Sequence, residues 1–345
     1  MTNVLTSLRL RRNMNLSLVR PCTEHHHRNS TKNFGRDIPN KVSFYHRTDT
    51  QQPAMRSGLP YQYQKSMQYH RLGYALYKPP PYSRLFPGVL GYLDEDREWH
   101  PVLDLTQHPI LNITTGRPVS PQRYTPLAIP VLKTPDSRFW SPRVSSSSRE
   151  TAIAINAEAD ALALALPVTI GGAVEYASRG DYGAILMCDD AVVNEGFDSR
   201  DLFCKWLKKN SAALREDFPD LKKHGVYIST WTYSASNIHV NAWEGREHRV
   251  TLGFQVGATG IGSLGPETSW TRGRTSNGWA DFVDEKRVVF FTGVKVKYGV
   301  FGPREEVAGK WRGANKDKFL VFERDEHGEH GACEAEVELF GDNFG

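Results

Sequence analysis

Hydrophobic and polar positions alternate with a period of two between His224 and Gly257. In residues 225–233, Val226, Ile228, Thr230 and Thr232 share one parity, and Tyr227, Ser229, Trp231 and Tyr233 share the other. Further on, Ile238, Val240 and Ala242 stand opposite His239, Asn241 and Trp243. Val250, Leu252, Phe254 and Val256 then stand opposite Arg249, Thr251, Gly253 and Gln255. This period predicts strands with two different faces. The polar breaks 235–237 and 244–247 predict hairpin loops, and hence an antiparallel meander. A half-buried soluble sheet and a sheet that exchanges protein core for lipid produce the same alternation, so periodicity alone does not separate them.

A second two-faced stretch is 151–170. Ile153 and Ile155 lead a run of alanines on one parity, while Asn156, Glu158 and Asp160 precede Leu162, Leu164 and Leu166 on the other. Its Ala, Leu and Glu content also tolerates helix. Gly171-Gly172 breaks it, and 173–177 and 183–188 follow as strands with Arg179-Gly180-Asp181 at the turn between them. A hairpin is predicted over 86–106 around the charged break 94–97, and a long loop over the Pro-, Arg- and Ser-rich 109–148. The spacing of Phe203, Trp206, Leu207, Asn210 and Leu214 predicts a helix over 199–218, capped by Asp198 or Ser199, with Lys205, Lys208 and Lys209 on its outer side. Residues 286–298 read as a strand with Lys295 and Lys297 on one face. Residues 318–324 and 332–340 read as a closing hairpin in which Glu334, Glu336 and Glu338 oppose Cys333, Ala335, Val337 and Leu339. The expected class is therefore α+β, a twisted antiparallel sheet with a few flanking helices.

Charge divides the chain into three parts. Residues 1–71 carry 12 Lys/Arg against 3 Asp/Glu, residues 72–302 carry 25 of each, and residues 303–345 carry 6 against 11. This predicts a basic, unpacked arm, a neutral folded body and an acidic tail. The arm's first residues are compatible with a mitochondrial presequence as well as with a disordered basic segment, and Arg9, Arg11 and Arg12 interrupt any secretory signal. Its basic charge lacks a recognition helix or zinc spacing, so no nucleic-acid partner is expected. Cys22, Cys188, Cys204 and Cys333 lie far apart without a C-x-x-C pair, which predicts neither a disulfide framework nor a metal site and favours a reduced intracellular setting. No nucleophile elbow, metalloprotease helix, phosphate-binding loop or kinase motif is present, so an enzyme is not expected and no cofactor is implied.

An ordered series of short motifs adds to this picture. It runs from Tyr74-Ala75-Leu76-Tyr77 with Lys78-Pro79-Pro80, through Pro87-Gly88, Gly91-Tyr92-Leu93-Asp94 and Trp99, to Phe203 and Trp206 on the helix. Residues 225–233 and Asn241-Ala242-Trp243 follow, and then Leu252-Gly253-Phe254, Leu264-Gly265-Pro266, Trp270, Gly278-Trp279 and Val288-Val289-Phe290-Phe291. Across 72–300 the chain resembles the fungal gasdermin-like cell-death proteins, the regulator-of-cell-death group that acts in allorecognition and heterokaryon incompatibility. The resemblance implies a gasdermin amino-terminal-type fold that binds acidic phospholipids, forms homo- or hetero-oligomers with a related allelic protein and inserts amphipathic hairpins as a β-barrel pore. It also implies a cytoplasmic resting state, a plasma or other anionic-lipid membrane on activation, and an activating protease in some members. The hairpins matching by position are 151–188 and 225–257, with Ile153, Ile155, Leu162, Leu164, Leu166, Val226, Ile228, Val250, Leu252, Phe254 and Val256 as membrane-facing candidates. Lys78, Arg84, Lys205, Lys208, Lys209, Lys295 and Lys297 are the headgroup candidates, and Glu334, Glu336 and Glu338 the regulatory ones. The 71-residue arm departs from the pattern, and the tail from Pro303 is shorter than the repressor domain of vertebrate gasdermins. A soluble intracellular β-rich binding protein whose hairpins never leave the core is the competing expectation.

Overall fold

Almost every period-two stretch becomes a strand, but most strands pair with distant partners. The computed structural model describes residues 58–345 apart from 154, 156–163, 165, 167–171, 247, 256–268, 273–277, 300–301, 304–317, 325–329 and 342–345. In chain order the strands are β1 (Tyr74–Ala75), β2 (Val89–Leu93), β3 (Trp99–Asp104), β4 (Leu111–Asn112), β5 (Arg117–Pro118), β6 (Asp136–Arg138), β7 (Arg143–Val144), β8 (Ser148–Ile153), β9 (Gly172–Ser178) and β10 (Tyr182–Cys188). There follow β11 (Val192–Gly196), β12 (Val226–Ala235), β13 (Ile238–Glu244), β14 (Arg249–Gln255), β15 (Ser269–Arg272), β16 (Trp279–Phe282), β17 (Arg287–Tyr298), β18 (Gly302–Pro303), β19 (Lys318–Arg324) and β20 (His330–Phe340). The helices are α1 (Leu59–Met67), α2 (Asp201–Asp217) and α3 (Asp220–His224).

A twelve-stranded sheet forms the body, with the main path β18-β20-β17-β12-β2-β3-β4-β5. Two four-stranded sheets accompany it, in the orders β16-β13-β10-β7 and β15-β14-β9-β8. Their pairings are antiparallel, so the fold is α+β with antiparallel sheets and a few helices. All ten residues of β12 are buried. Val226 and Ile228 pack with Phe203, Trp206 and Leu207 of α2 and with Val294 and Val296 of β17. Tyr227 points to the opposite face, among Leu85, Trp99 and Phe291.

The expected meander over 225–257 does not form. Strand β12 belongs to the large sheet and pairs with β17, β2 and β11, whereas β13 and β14 pair with β10, β16, β9 and β15. Alternation states which side chains share a face and carries no information about which strand lies alongside. The predicted hairpin over 86–106 does form as β2–β3, closed by the Glu98 amide donating to Asp94 Oδ1 at 2.9 Å. The loop over 109–148 contains the short strands β4 to β7.

The expected helix is α2, with Phe203, Trp206, Leu207, Asn210 and Leu214 buried as its spacing requires. It starts after Arg200, and neither Asp198 nor Ser199 supplies a side-chain cap. Asn210 takes a positioning role instead: its Oδ1 accepts from the Thr125 amide at 2.8 Å, while Trp206 Nε1 donates to the Thr125 carbonyl at 2.7 Å. Packing begins ahead of the expected Leu72 boundary, because Tyr63 and Met67 of α1 are fully buried. The rest of the expected arm, 1–57, lies outside the described residues. The tail hairpin forms as β19–β20, and β20 joins the large sheet on β17.

Candidate functional site

The two four-stranded sheets share one strand order because the same four chain segments build both. Segments 143–153, 172–188, 238–255 and 269–282 each supply one strand to each sheet. They interrupt at a common level: Tyr182 pairs with Glu244 on one side of the break, and Ala177 pairs with Arg249 on the other. The result is two hairpins of nearly equal length, 143–188 and 238–282, lying side by side and bent at the same height. In the outer sheet Phe254 pairs with Gly172, Ile153 with Ala173 and Gln255 with Ser269. The chain therefore leaves for 154–171 and for 256–268 from the same end of that sheet.

Contacts between β9–β10 and β13–β14 hold the hairpins together. The Trp243 indole covers Gly183 and the Phe254 ring covers Gly172, each across a registered pair. Only glycine leaves room for these rings to lie flat across the ladder. Beside them, Arg249 Nη1 meets Glu175 Oε1 at 2.6 Å.

The inner end of the hairpins is tied by His239 of β13. Its Nδ1 lies 2.7 Å from Asp281 Oδ1 and its Nε2 lies 3.0 Å from Asp189 Oδ2. Burial works against a charge on the ring, but the two carboxylates facing its two nitrogens outweigh it and raise the His239 pKa above the ordinary histidine value, favouring the form in which both nitrogens donate. Arg272 Nη1 also donates to Asp281 Oδ1. The cluster joins the end of the first hairpin to both arms of the second.

The membrane-facing candidates separate into groups. Val250 and Leu252 are buried with Tyr176, Ile185 and Trp243 between the hairpins, and Phe254 stacks near Trp270. Ile153, Ile155 and Leu164 pack around Leu166 and Ala173. Leu162 and Val256 lie outside the described residues. Val226 and Ile228 do not belong to a hairpin at all, since they form the interior of β12 against α2. The second arm of the second hairpin is β15–β16, which periodicity missed because each piece is only four residues long. Trp270 and Trp279 flanking a polar stretch were its sequence signal.

The basic candidates do not converge on one surface. Lys205, Lys208 and Lys209 lie on α2, which covers the face of the large sheet bearing Val294 and Val296. Lys295 and Lys297 alternate with those valines and face the other way. Lys78 pairs with Glu98, and the backbone carbonyl of exposed Arg84 accepts from Trp99 Nε1.

The tail covers part of the second basic face. Lys297 Nζ meets Glu338 Oε1 at 2.6 Å, and Lys318 Nζ meets Glu334 Oε1 at 2.6 Å. Glu336 lies opposite both Lys297 and Lys318 in register. Lys295 Nζ sits over the Tyr227 ring at 4.8 Å and 3.4 Å from the Tyr74 hydroxyl. Burial, and then the neighbouring Lys297 and Arg97, bring its pKa down to about 8 against the opposing pull of Glu338. Phe340 closes the strand among Tyr74, Phe291 and Tyr227, with ring centroids at 4.7, 5.3 and 5.8 Å. Among the described residues, no group of three or more His, Cys, Asp or Glu is placed to hold a metal ion, and no helix is long and apolar enough to cross a membrane.

No family model and no curated protein matches the chain. Among solved structures it is similar to a bacterial gasdermin from Bradyrhizobium tropiciagri, with 13% sequence identity and a TM-score of 0.25, over 68% of this chain and 85% of that one.

Proposed function

We propose that this protein is a pore former that binds acidic membrane lipids, oligomerises and inserts two β-hairpins into a shared β-barrel, causing regulated cell death. The observation that carries this reading is the pair of adjacent hairpins, 143–188 and 238–282, bent at one level and open toward the same end. Straightened, each arm has at least the roughly 9–11 residues that a tilted strand needs to cross hydrocarbon. Closure into a barrel satisfies every backbone group in lipid, where an open sheet edge is not tolerated. The alternation of Val250, Leu252 and Phe254 with Arg249, Thr251 and Gln255 suits a lipid face and a lumen.

Lys78, Arg84, Lys205, Lys208 and Lys209 are the headgroup contacts in this reading, and Lys295 and Lys297 join them when the tail strand leaves β17. The oligomer contains further copies or a related allelic protein, and a protease that removes the tail is one route to activation. The protein rests in the cytoplasm and moves to a membrane rich in anionic lipid. The fungal allorecognition setting comes from the sequence resemblance alone.

Dye-loaded vesicles containing cardiolipin or phosphatidylserine, compared with phosphatidylcholine vesicles, test this with the full chain. The expected result is release from anionic vesicles only, together with ring-shaped oligomers on their surface. Intact vesicles with all protein left in the supernatant would overturn the reading in favour of a soluble β-rich binding protein.

A further inference from the structure

Helix α1 lies against both hairpins at their common bend. Tyr63 and Met67 are fully buried, at 0% solvent accessibility, within the cluster that contains Ala184 and Leu186 of β10 and Val240 of β13. The helix is also bonded to the chain break in the first hairpin. The Ser146 amide donates to the Ser66 carbonyl at 3.0 Å, and in the turn that follows the helix His70 Nε2 donates to the Val144 carbonyl at 2.8 Å.

The bend itself is knitted by local bonds. Ser147 Oγ and Ser178 Oγ donate to the Tyr182 carbonyl at 2.7 and 2.6 Å. The Gly245 amide donates to the Asp181 carbonyl at 2.8 Å, joining the two hairpins. An open cleft of about 730 Å³ lies beside this contact, lined by Lys65 and Ser66 of the helix and by Ser147, Asp181, Tyr182 and Glu244 of the turns.

For β7 to run straight into β8, residues 146–147 must extend the strand beyond Ser145, whose amide already donates to the Ala184 carbonyl, and Ser146 must leave the Ser66 carbonyl that holds its amide in the bent path. The bent path therefore keeps this bond to the helix, and a straight path gives it up. We propose that α1 is a clasp: docked, it holds both hairpins bent at the junction, and its departure is the step that permits them to extend. The clasp rests on the pore-forming reading for its purpose, but its action on the bend is a property of the soluble protein and is measured there.

Hydrogen exchange on the full chain tests the clasp without membranes. In Tyr63→Ala and Met67→Ala, the amides of Ser146, Arg179 and Gly245 exchange about tenfold faster or more, while those of Ile228 and Phe290 in the large sheet keep their protection. Loss of protection in α1 with unchanged exchange at the bend overturns the proposal. Ser66→Cys/Ser146→Cys adds a bond instead of removing packing, and serves if the truncations fail to fold. Oxidised, this variant shows slower exchange at Arg179 and Gly245 than when reduced, and equal exchange overturns the clasp. On anionic vesicles the oxidised form is expected to release no dye and the reduced form to leak, with the wild-type chain insensitive to the oxidant. Leakage from the oxidised form equal to the reduced form also overturns the clasp. Absence of leakage from every form counts against the pore-forming reading, and the exchange result then decides the clasp by itself.

Discussion

Trp243 lies across Gly183 so closely that a β-carbon built on the glycine would come within 2.3 Å of the indole ring. The two residues are a registered pair between β10 and β13, at the centre of the contact between the hairpins. Gly183→Ala should therefore push the indole off the sheet and cost about 1–3 kcal/mol, the usual range for overpacking. Chemical denaturation measures it. Wild-type stability for this variant would show that the indole has another seat.

His239 joins Asp189 of one hairpin to Asp281 of the other. His239→Gln keeps a similar volume but is uncharged and has its donors on one nitrogen only, so it cannot replace the two ring nitrogens that face the two carboxylates. A loss of about 1.5–3 kcal/mol is expected, the range for hydrogen bonds to charged partners. Asp189→Asn combined with His239→Gln should cost less than the two single changes added together, because the pair shares one contact. Strict additivity in that double-mutant cycle would remove His239 from its role as a tie.

Lys295 gives the protein a pH signature of defined sign. Its folded pKa, about 8, lies below the roughly 10.4 of an unfolded lysine. Between those values the unfolded chain holds the proton and the folded chain does not, so stability rises as pH climbs from about 8 to about 10.4. Below 8 both states are charged and the folded state carries the full burial penalty. Lys295→Met should raise stability at pH 7 and flatten the slope above pH 8, as read from denaturation midpoints. An unchanged slope would assign the charged form no penalty among Tyr74, Tyr227, Arg97, Lys297 and Glu338.

The tail strand is anchored at its end by Phe340 and along its length by Lys297–Glu338. Phe340→Ala should lower stability by about 1–2 kcal/mol, reflecting a ring that is only partly buried. If the strand restrains the pore-forming reading proposed above, Phe340→Ala/Glu338→Lys releases dye from anionic vesicles at lower protein concentration than the wild-type chain. Equal dose–response curves would leave β20 as an edge-protecting strand, the role that a charged border also fulfils.

Much of the local structure was legible in the residues themselves. The stripe from Phe203 to Leu214 determined α2 and its inner face, because helical spacing is a property of neighbouring positions. The break 94–97 determined the β2–β3 hairpin, and the alternation of Glu334, Glu336 and Glu338 determined the two-faced strand of the tail. The same alternation in 225–257 named its faces correctly and its partners wrongly. Backbone ladders are chemically alike, so a strand's neighbour is chosen by distant packing, and Val226 and Ile228 went to the interior beside α2. Only the tertiary structure placed β15–β16 as the fourth arm, set α1 against the bend, brought His239 between two aspartates and put the α2 lysines on the other side of the sheet from Lys295 and Lys297. Each of these depends on contacts between residues far apart in the chain, which burial of the whole surface decides and which no local pattern of side chains records.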